Sequence, residues 1–359
     1  MQNTIKKKRS AMSLLKIGLI IFIGVFMIVS MITTIIVYNS QFPRYDRPDM
    51  TIHAGLIYED LEDTYPRTLV SFDSGKNKLQ GYVYGENNNQ GLVVVAHGIG
   101  GGADSYLPQI TYFVDQGWQV FAYDATGSYD SEGKSTRGFP QSLLDLDSAL
   151  TYINSQSDYD DLPILLFGHS WGGYAVANIL HYDYDIAGVV SLSAPNSASE
   201  IILEQGKQMM GGFIYTQAPF LWLYQTALYG KEASFKAVDA INKLNTPVMI
   251  VHGIHDETIL YDGSAIISNK DRFTNPNVVI HTLTEVGQSG HNDLFKSKAS
   301  IAYIDEVNIS YRALYDEYHQ NIPYDIKQAF YETIDRDLAQ DVNLDLMDEI
   351  HEFFLNSIN

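Results

Sequence analysis

Residues 162–177 read LPILLFGHSWGGYAVA, an apolar run that breaks into Gly168-His169-Ser170-Trp171-Gly172 and then resumes with helical character. This is Gly-x-Ser-x-Gly set between a strand and a helix. A serine there sits on a turn so tight that the positions two away must be small, because a Cβ at Gly168 or Gly172 would meet adjoining backbone. Ser170 then projects alone. The first N–H groups of the following helix lack intrahelical acceptors and carry the positive end of its dipole, so an oxyanion forming beside Ser170 would meet donors. A five-residue pattern with two fixed glycines also arises by chance, and it gains its weight from the strand before it and the helix after it.

Upstream, Leu69-Val70-Ser71-Phe72 and Leu79-Gln80-Gly81-Tyr82-Val83-Tyr84 flank the turn residues Asp73-Ser74-Gly75-Lys76-Asn77, a hairpin signature. After a turn at Asn87-Asn88-Asn89, residues 91–96 (GLVVVA) form a continuous apolar run of buried-strand length. The pattern predicts helix over 106–116, strand over 119–123, helix over 142–154, strand over 164–167, helix over 174–182 and strand over 186–192. Such alternation means a mostly parallel sheet covered by helices on both faces. It lapses over 196–245, where Met209, Met210, Phe213, Phe220, Trp222 and Leu223 crowd together. That segment reads as a helical cap insertion lining an apolar pocket over the catalytic face, with ordinary helices packed on the main core as the alternative. Strands resume at 247–251 and 277–283. In the C-terminal extension, 299–359, Asp325-Ile326-Lys327-Gln328 has the form of a capping box, followed by Phe330, Ile334 and Leu338 at helical spacing. Leu346, Met347, Ile350, Phe353 and Phe354 make a second stripe, and both are expected to pack on the sheet as structural helices.

A serine nucleophile needs a base within reach and an acid to orient that base. His252-Gly253-Ile254-His255-Asp256-Glu257 follows the strand ending at Val251 and puts Asp256 in a loop at the carboxyl end of the sheet, on the edge that carries Ser170. Gly290-His291-Asn292-Asp293, after the next strand, puts His291 in the neighbouring loop. This edge is where sites form in open parallel sheets. Glu257 and Glu285 are the alternative acids. The oxyanion hole needs two converging N–H groups, one from Trp171 and one from the turn His97-Gly98-Ile99-Gly100-Gly101-Gly102, where Ile99 is the first choice and Gly100 the second. That turn lacks the Gly-x-x-x-x-Gly-Lys spacing of a phosphate loop. His97 and His252 belong to strand-end turns and read as structural, and His169 as packing beside the elbow. His255 beside Asp256 suggests a metal pair, but no third ligand falls at a recognisable spacing, so neither metal nor cofactor is expected.

The set H-G-I-G-G (97–101), G-H-S-W-G-G (168–173), H-G-I-H-D (252–256) and G-H-N-D (290–293), in this order over residues 67–300, resembles the α/β-hydrolase superfamily, closest to its bacterial serine aminopeptidase-like and lysophospholipase-like branch. Residues 123–133 also resemble the family's loop after its fourth strand, usually D-x-R-G-x-G-x-S-x-G, with Thr126 where arginine is usual and Tyr129 where glycine is usual. The resemblance implies Ser170, Asp256 and His291 as the triad, in agreement with the placement reached from the residues. It does not name a substrate, because the superfamily hosts esterases, lipases, peptidases and inactive members.

The chain has 359 residues, 45% of them hydrophobic, enough for a large core. With no cysteine it has no disulfide, thiolate metal site or cysteine nucleophile. A formal charge of −20 argues against nucleic acid as a partner. Lys6, Lys7, Lys8, Arg9 and Lys16 stand alone in the first 40 residues, and all 43 acidic residues lie beyond them. Residues 17–38 carry no charge and, at about 1.5 Å per residue, cover the roughly 30 Å of a bilayer's hydrocarbon. The expected domain plan is a cytoplasmic basic segment (1–16), a transmembrane anchor (17–38), a stalk (39–66) and a hydrolase domain (67–359). A cleaved signal peptide is disfavoured by the length of the run and by Tyr38-Asn39-Ser40-Gln41, which offers no small-x-small site. Basic residues before the span keep the N-terminus in the cytoplasm and send the domain outside. The expectation is thus an anchored, outward-facing serine hydrolase acting on small-molecule or lipid carboxylic esters. A peptidase is the runner-up, disfavoured because no basic site for a peptide carboxylate is legible, and a catalytically silent binding module is the reading from another class.

Overall fold

The computed structural model describes the backbone of residues 2–359 and the side chains of residues 12–359. The basic cluster Lys6-Lys7-Lys8-Arg9 therefore lies outside the described side chains. The strands are β1 (Arg67–Ser74), β2 (Asn77–Tyr84), β3 (Leu92–Ala96), β4 (Gln119–Tyr123), β5 (Ile164–His169), β6 (Gly188–Leu192), β7 (Val248–Gly253) and β8 (Val278–Leu283). They make one sheet in the order β1-β2-β4-β3-β5-β6-β7-β8. Only β2 runs against its neighbours, and every other pairing is parallel. From β3 the chain moves outward to β4 and then returns across β3 to β5, so the strand order reverses between β3 and β5, where Ala96 pairs with Gly168. Crevices open at the carboxyl ends of strands at such a point.

Successive side chains on a strand point to opposite faces, and here both faces are apolar. Val94, Phe121, Leu166 and Ile250 join one buried cluster, while Val93, Val95, Phe167 and Val251 join the other. The first is covered by α3 (Phe139–Ile153) and α4 (Trp171–Asn178), which contribute Leu146, Leu150 and Val176. The second is covered by α2 (Leu107–Asp115) through Ile110 and Phe113, and by α11 (Leu344–Ile358) through Met347, Ile350 and Phe354. Each such fully buried side chain contributes about 2 kcal/mol of transfer free energy. The remaining helices are α1 (Gln2–Gln41), α5 (Ala198–Met210), α6 (Ile214–Tyr229), α7 (Ala237–Ile241), α8 (Lys298–Glu317), α9 (Tyr324–Tyr331) and α10 (Arg336–Ala339).

Four local expectations are corrected. Helix α4 begins directly after Ser170 rather than at Tyr174, and passes into a 3-10 turn at Ile179–His181. The residue before α9 is Pro323, with no side-chain cap, so Asp325-Ile326-Lys327-Gln328 is not a capping box and Asp325 lies in the first turn. Phe330 and Leu338 fall on different helices, because α9 ends at Tyr331, and of the C-terminal extension it is α11 that packs on the sheet while α8 packs on α10. The segment 39–66 is no free stalk. Pro43 bridges to Ser135 and Tyr45 to Ser128, while the Arg44 guanidinium donates to the carbonyls of Tyr129, Ser131 and Gly133 at 2.6–2.9 Å. Arg47 pairs with Asp104 and Asp130, and Arg67 with Asp104 at 2.6 Å. A buried carboxylate such as Asp104 demands these counter-charges, and one of them comes from the segment after α1.

Residues Met12–Gln41 of α1 are long and apolar enough to cross a membrane, with a mean hydropathy of 2.8. Most of this surface is exposed; Ser30, Thr34 and Tyr38, one turn apart, are buried on the side that meets α6.

Candidate active site

Ser170 occupies φ +55°, ψ −113°, a conformation that residues with a Cβ seldom adopt and that the surrounding structure must hold in place. The strand and the helix force it. A Cβ at Gly172 would collide with the carbonyl of Ala96 on the neighbouring strand, and one at Gly168 with the carbonyl of Gly172. The Ser170 N–H donates to the Leu192 carbonyl at 2.9 Å, which ties the turn to β6.

The Oγ of Ser170 lies 3.0 Å from Nε2 of His291, and Nδ1 of His291 lies 2.8 Å from Oδ2 of Asp256. All three side chains are buried at the carboxyl edge of the sheet. A Nδ1–H directed at the carboxylate leaves Nε2 as the acceptor facing the serine hydroxyl. The other oxygen of Asp256 accepts the N–H groups of Thr258 and Ile259 at 2.9 and 2.8 Å. Burial acts to raise the pKa of this carboxyl, but hydrogen bonds from His252 and His291 prevail and hold it well below the ordinary carboxylate range. The structure thus brings together Ser170, His291 and Asp256 from three separate loops. Glu285, the distant alternative acid, is paired instead with Lys298 at 2.5 Å.

Trp171, as the first residue of α4, has an N–H with no intrahelical acceptor. Among the described turn and loop hydrogen bonds, the N–H of Ile99 has no partner either. Ile99 and Ser170 line the same cavity, and Trp171 follows Ser170 directly as the first residue of α4.

The other histidines have distinct surroundings. His97 accepts the Ala125 N–H at Nε2 and donates from Nδ1 to the Gly98 carbonyl, at 2.9 and 2.7 Å; burial pushes its pKa down to about 4. His255 faces Ser289 at 2.7 Å. His252 does more than close a turn: its Nε2 lies 3.2 Å from the Asp256 oxygen that His291 uses. His169 donates from Nε2 to the His291 carbonyl at 2.9 Å and accepts the Tyr106 hydroxyl at Nδ1 at 2.7 Å. Tyr106 in turn accepts the Gly98 N–H at 3.0 Å, which joins the glycine-rich loop to the backbone of His291. Sequence reasoning missed Tyr106, and no motif marks it.

The cavity that reaches Ser170 and His291 measures about 450 Å³. Ile99, Tyr106, Pro108 and Phe295 supply its apolar wall, and Gln109, Lys296 and Gln340 its polar wall. No residue of 196–245 lines it, which overturns the expectation that the insertion forms an apolar pocket over the serine. Helix α5 reaches the site only indirectly, where Gln205 donates to the Thr258 carbonyl and Glu204 accepts the N–H groups of Leu260 and Ser264. Lys296 is a basic residue at the site that the sequence did not reveal; it pairs with Asp293 at 3.1 Å.

The fold is shared with solved proteins. The esterase Pf2001 of Pyrococcus furiosus superposes with a TM-score of 0.51 and 17% identity, over 79% of this chain and 100% of its own. The chain has the α/β-hydrolase fold. The family model described as "Serine aminopeptidase, S33" matches residues 87–227. The quorum-quenching protein AidA of Acinetobacter baumannii is 30% identical over 132 residues, 34% of this chain and 42% of its own. The lysophosphatidylserine lipase ABHD12 of Danio rerio is 25% identical over 173 residues, 47% of this chain and 44% of its own. The chain spans about half the length of the curated relatives it matches or less. The loop after β4 departs from the α/β-hydrolase pattern at two positions, Thr126 and Tyr129, and both side chains have partners. Thr126 donates its N–H and hydroxyl to the buried Asp145, each at 2.8 Å. Tyr129 takes φ +40° and sets its hydroxyl 3.2 Å from Ser105, which lines the cavity.

Proposed function

We propose that this α/β hydrolase is a membrane-anchored serine hydrolase that cleaves carboxylic esters outside the cytoplasm. The observation that carries the reading is the continuous line from Ser170 Oγ to His291 Nε2 at 3.0 Å and from His291 Nδ1 to Asp256 at 2.8 Å. In the proposed reaction, His291 takes the Ser170 proton as Oγ attacks the substrate carbonyl, and Asp256 stabilises the imidazolium so formed. The N–H groups of Trp171 and Ile99 receive the oxyanion. Collapse expels the alcohol with the proton from His291, and water then releases the acyl group by the same route in reverse. The long apolar stretch of α1 supports the anchor, and the basic residues before it support an N-terminus in the cytoplasm.

The match to a serine aminopeptidase model keeps a peptidase as the second reading. An aminopeptidase must hold a free α-ammonium, which calls for a carboxylate beside the scissile bond. Among the described residues that line the cavity there is no Asp or Glu, and the charge of Lys296 is met by Asp293. This supports esters over free N-termini. The test is kcat/KM on p-nitrophenyl esters against aminoacyl anilides, each divided by its uncatalysed rate constant. The ester reading expects an advantage of at least about tenfold, roughly 1.4 kcal/mol in barrier, and fails if the anilides win.

A further inference from the structure

Helix α6 has the sequence IYTQAPFLWLYQTALY, and no charged residue occurs from 208 to 230. A helix apolar on all sides belongs in a protein core or in lipid. Only one stripe of α6, Ile214, Gln217, Leu221, Gln225 and Tyr229, is buried. Tyr215, Trp222 and Leu223 are more than half exposed, as are Met209 and Phe213 just before them.

The neighbour of α6 is α1. Phe26 meets Phe220 with ring centroids 6.2 Å apart, Tyr38 meets Tyr224 at 5.3 Å, and Asn39 hydrogen-bonds the Tyr224 hydroxyl. Between these points the small residues Ser30 and Thr34 are buried, as at helix seams in membranes, where small side chains let backbones approach. The seam runs from residue 26 to residue 39, about 20 Å along the helix axis, and one leaflet's hydrocarbon is roughly 15 Å thick. If residues 17–38 span the bilayer, α6 lies beside the outer half of that span.

We propose that α6 is embedded in the outer leaflet beside α1, with Tyr215 and Trp222 in lipid or at its headgroup boundary, where aromatic residues concentrate. The proposal rests on the anchor reading given above. It accounts for an insertion that leaves the catalytic cavity unlined. It also brings the site close to the bilayer: Tyr45, whose ring packs against Gly100 of the glycine-rich loop, is four residues beyond the end of α1, a reach of at most about 14 Å.

The three tryptophans of the chain make the test direct, because Trp118 and Trp171 are fully buried and Trp222 is 60% exposed. The full chain is reconstituted into phosphatidylcholine vesicles with and without acyl-brominated phosphatidylcholine, and Trp222→Phe supplies the background emission. Retention on the vesicles after an alkaline wash reports the anchor separately. The proposal expects retention, loss of roughly half or more of the Trp222 emission to brominated lipid, and little quenching by iodide. Retention with Trp222 open to iodide and untouched by brominated lipid overturns the proposal and leaves the anchor standing. Retention with Trp222 shielded from both quenchers overturns it in favour of a protein neighbour. Loss of the chain from the vesicles overturns the anchor and the proposal together.

Discussion

His252 stands 3.2 Å from Oδ2 of Asp256, the oxygen that His291 also contacts, and it comes from the end of the strand that delivers the acid. The same Nε2 lies 2.9 Å from the Ile259 carbonyl, so one N–H is shared between the acid and the loop that carries it. The acid is thereby held from two sides.

Replacing His252 with phenylalanine removes a donor from an ionised group, a loss of about 1.5–3 kcal/mol. The expected result is a kcat/KM some tenfold to hundredfold lower with KM little changed, because Asp256 is less firmly aligned behind His291. His252→Gln, whose amide N–H can point the same way, should recover most of that loss. Kinetics on both variants, with thermal melts to verify folding, check the outcome.

Tyr106→Phe deletes the hydroxyl that the Gly98 N–H and the His169 ring share. Two buried polar groups lose partners at about 1–3 kcal/mol each, so the melting temperature should fall. Turnover should drop with it, since the same link connects the glycine-rich loop to the backbone of His291. Unchanged stability and turnover would mean the Tyr106 hydroxyl is dispensable.

The elbow and the residues now found in contact were legible because each sits in a loop at the end of a buried strand, and strands of this kind announce themselves as short apolar runs. Asp256 and His291 each follow a parallel strand of the sheet, which puts them on the Ser170 edge. Tyr106, His252 as a partner of Asp256, and Lys296 were not legible, because their roles depend on which loops meet across the sheet. The insertion misled for a physical reason: its apolar residues looked like a pocket lining, but Phe220 and Tyr224 meet α1 while Met209, Phe213, Trp222 and Leu223 stay exposed. The segment after α1, expected as a stalk, is held to the domain by Arg44 and Arg47, which satisfy backbone carbonyls and Asp104.

Gly172→Ala should abolish folding, since the added Cβ meets the backbone of β3 rather than a side chain that can yield. The cost exceeds about 4 kcal/mol, beyond the range of ordinary substitutions. Soluble yield and circular dichroism of the variant report it, and a folded, active Gly172→Ala protein would contradict the packing of β3 against the elbow.

Stability should fall in acid before the carboxylates of the surface titrate. Burial lowers the pKa of His97 to about 4 and that of His169 to about 3, so both stay neutral where the unfolded chain binds protons. Unfolding between about pH 6.5 and 4 therefore takes up protons, and stability drops as pH falls through that window. Asp256, depressed in the folded state, extends the loss below about pH 4. Asp124 opposes it, because burial lifts its carboxyl to about 6 and the folded form gains from protonation as pH falls from there. Burial also raises Asp145, which opposes the loss, and lowers His181, which adds to it, so three histidines against two aspartates leave a net loss. Melting temperatures from pH 8 to 4 measure it, and His169→Gln should flatten the slope.

Covalent labelling by a fluorophosphonate probe decides whether Ser170 is the nucleophile. The probe phosphonylates an activated serine Oγ with loss of fluoride, and intact-protein mass spectrometry counts the adducts. The account predicts one adduct per chain in the wild type, its assignment to Ser170 by peptide mapping, and no adduct in a folded Ser170→Ala variant. Undiminished labelling of that variant, or labelling mapped to another serine, would contradict it.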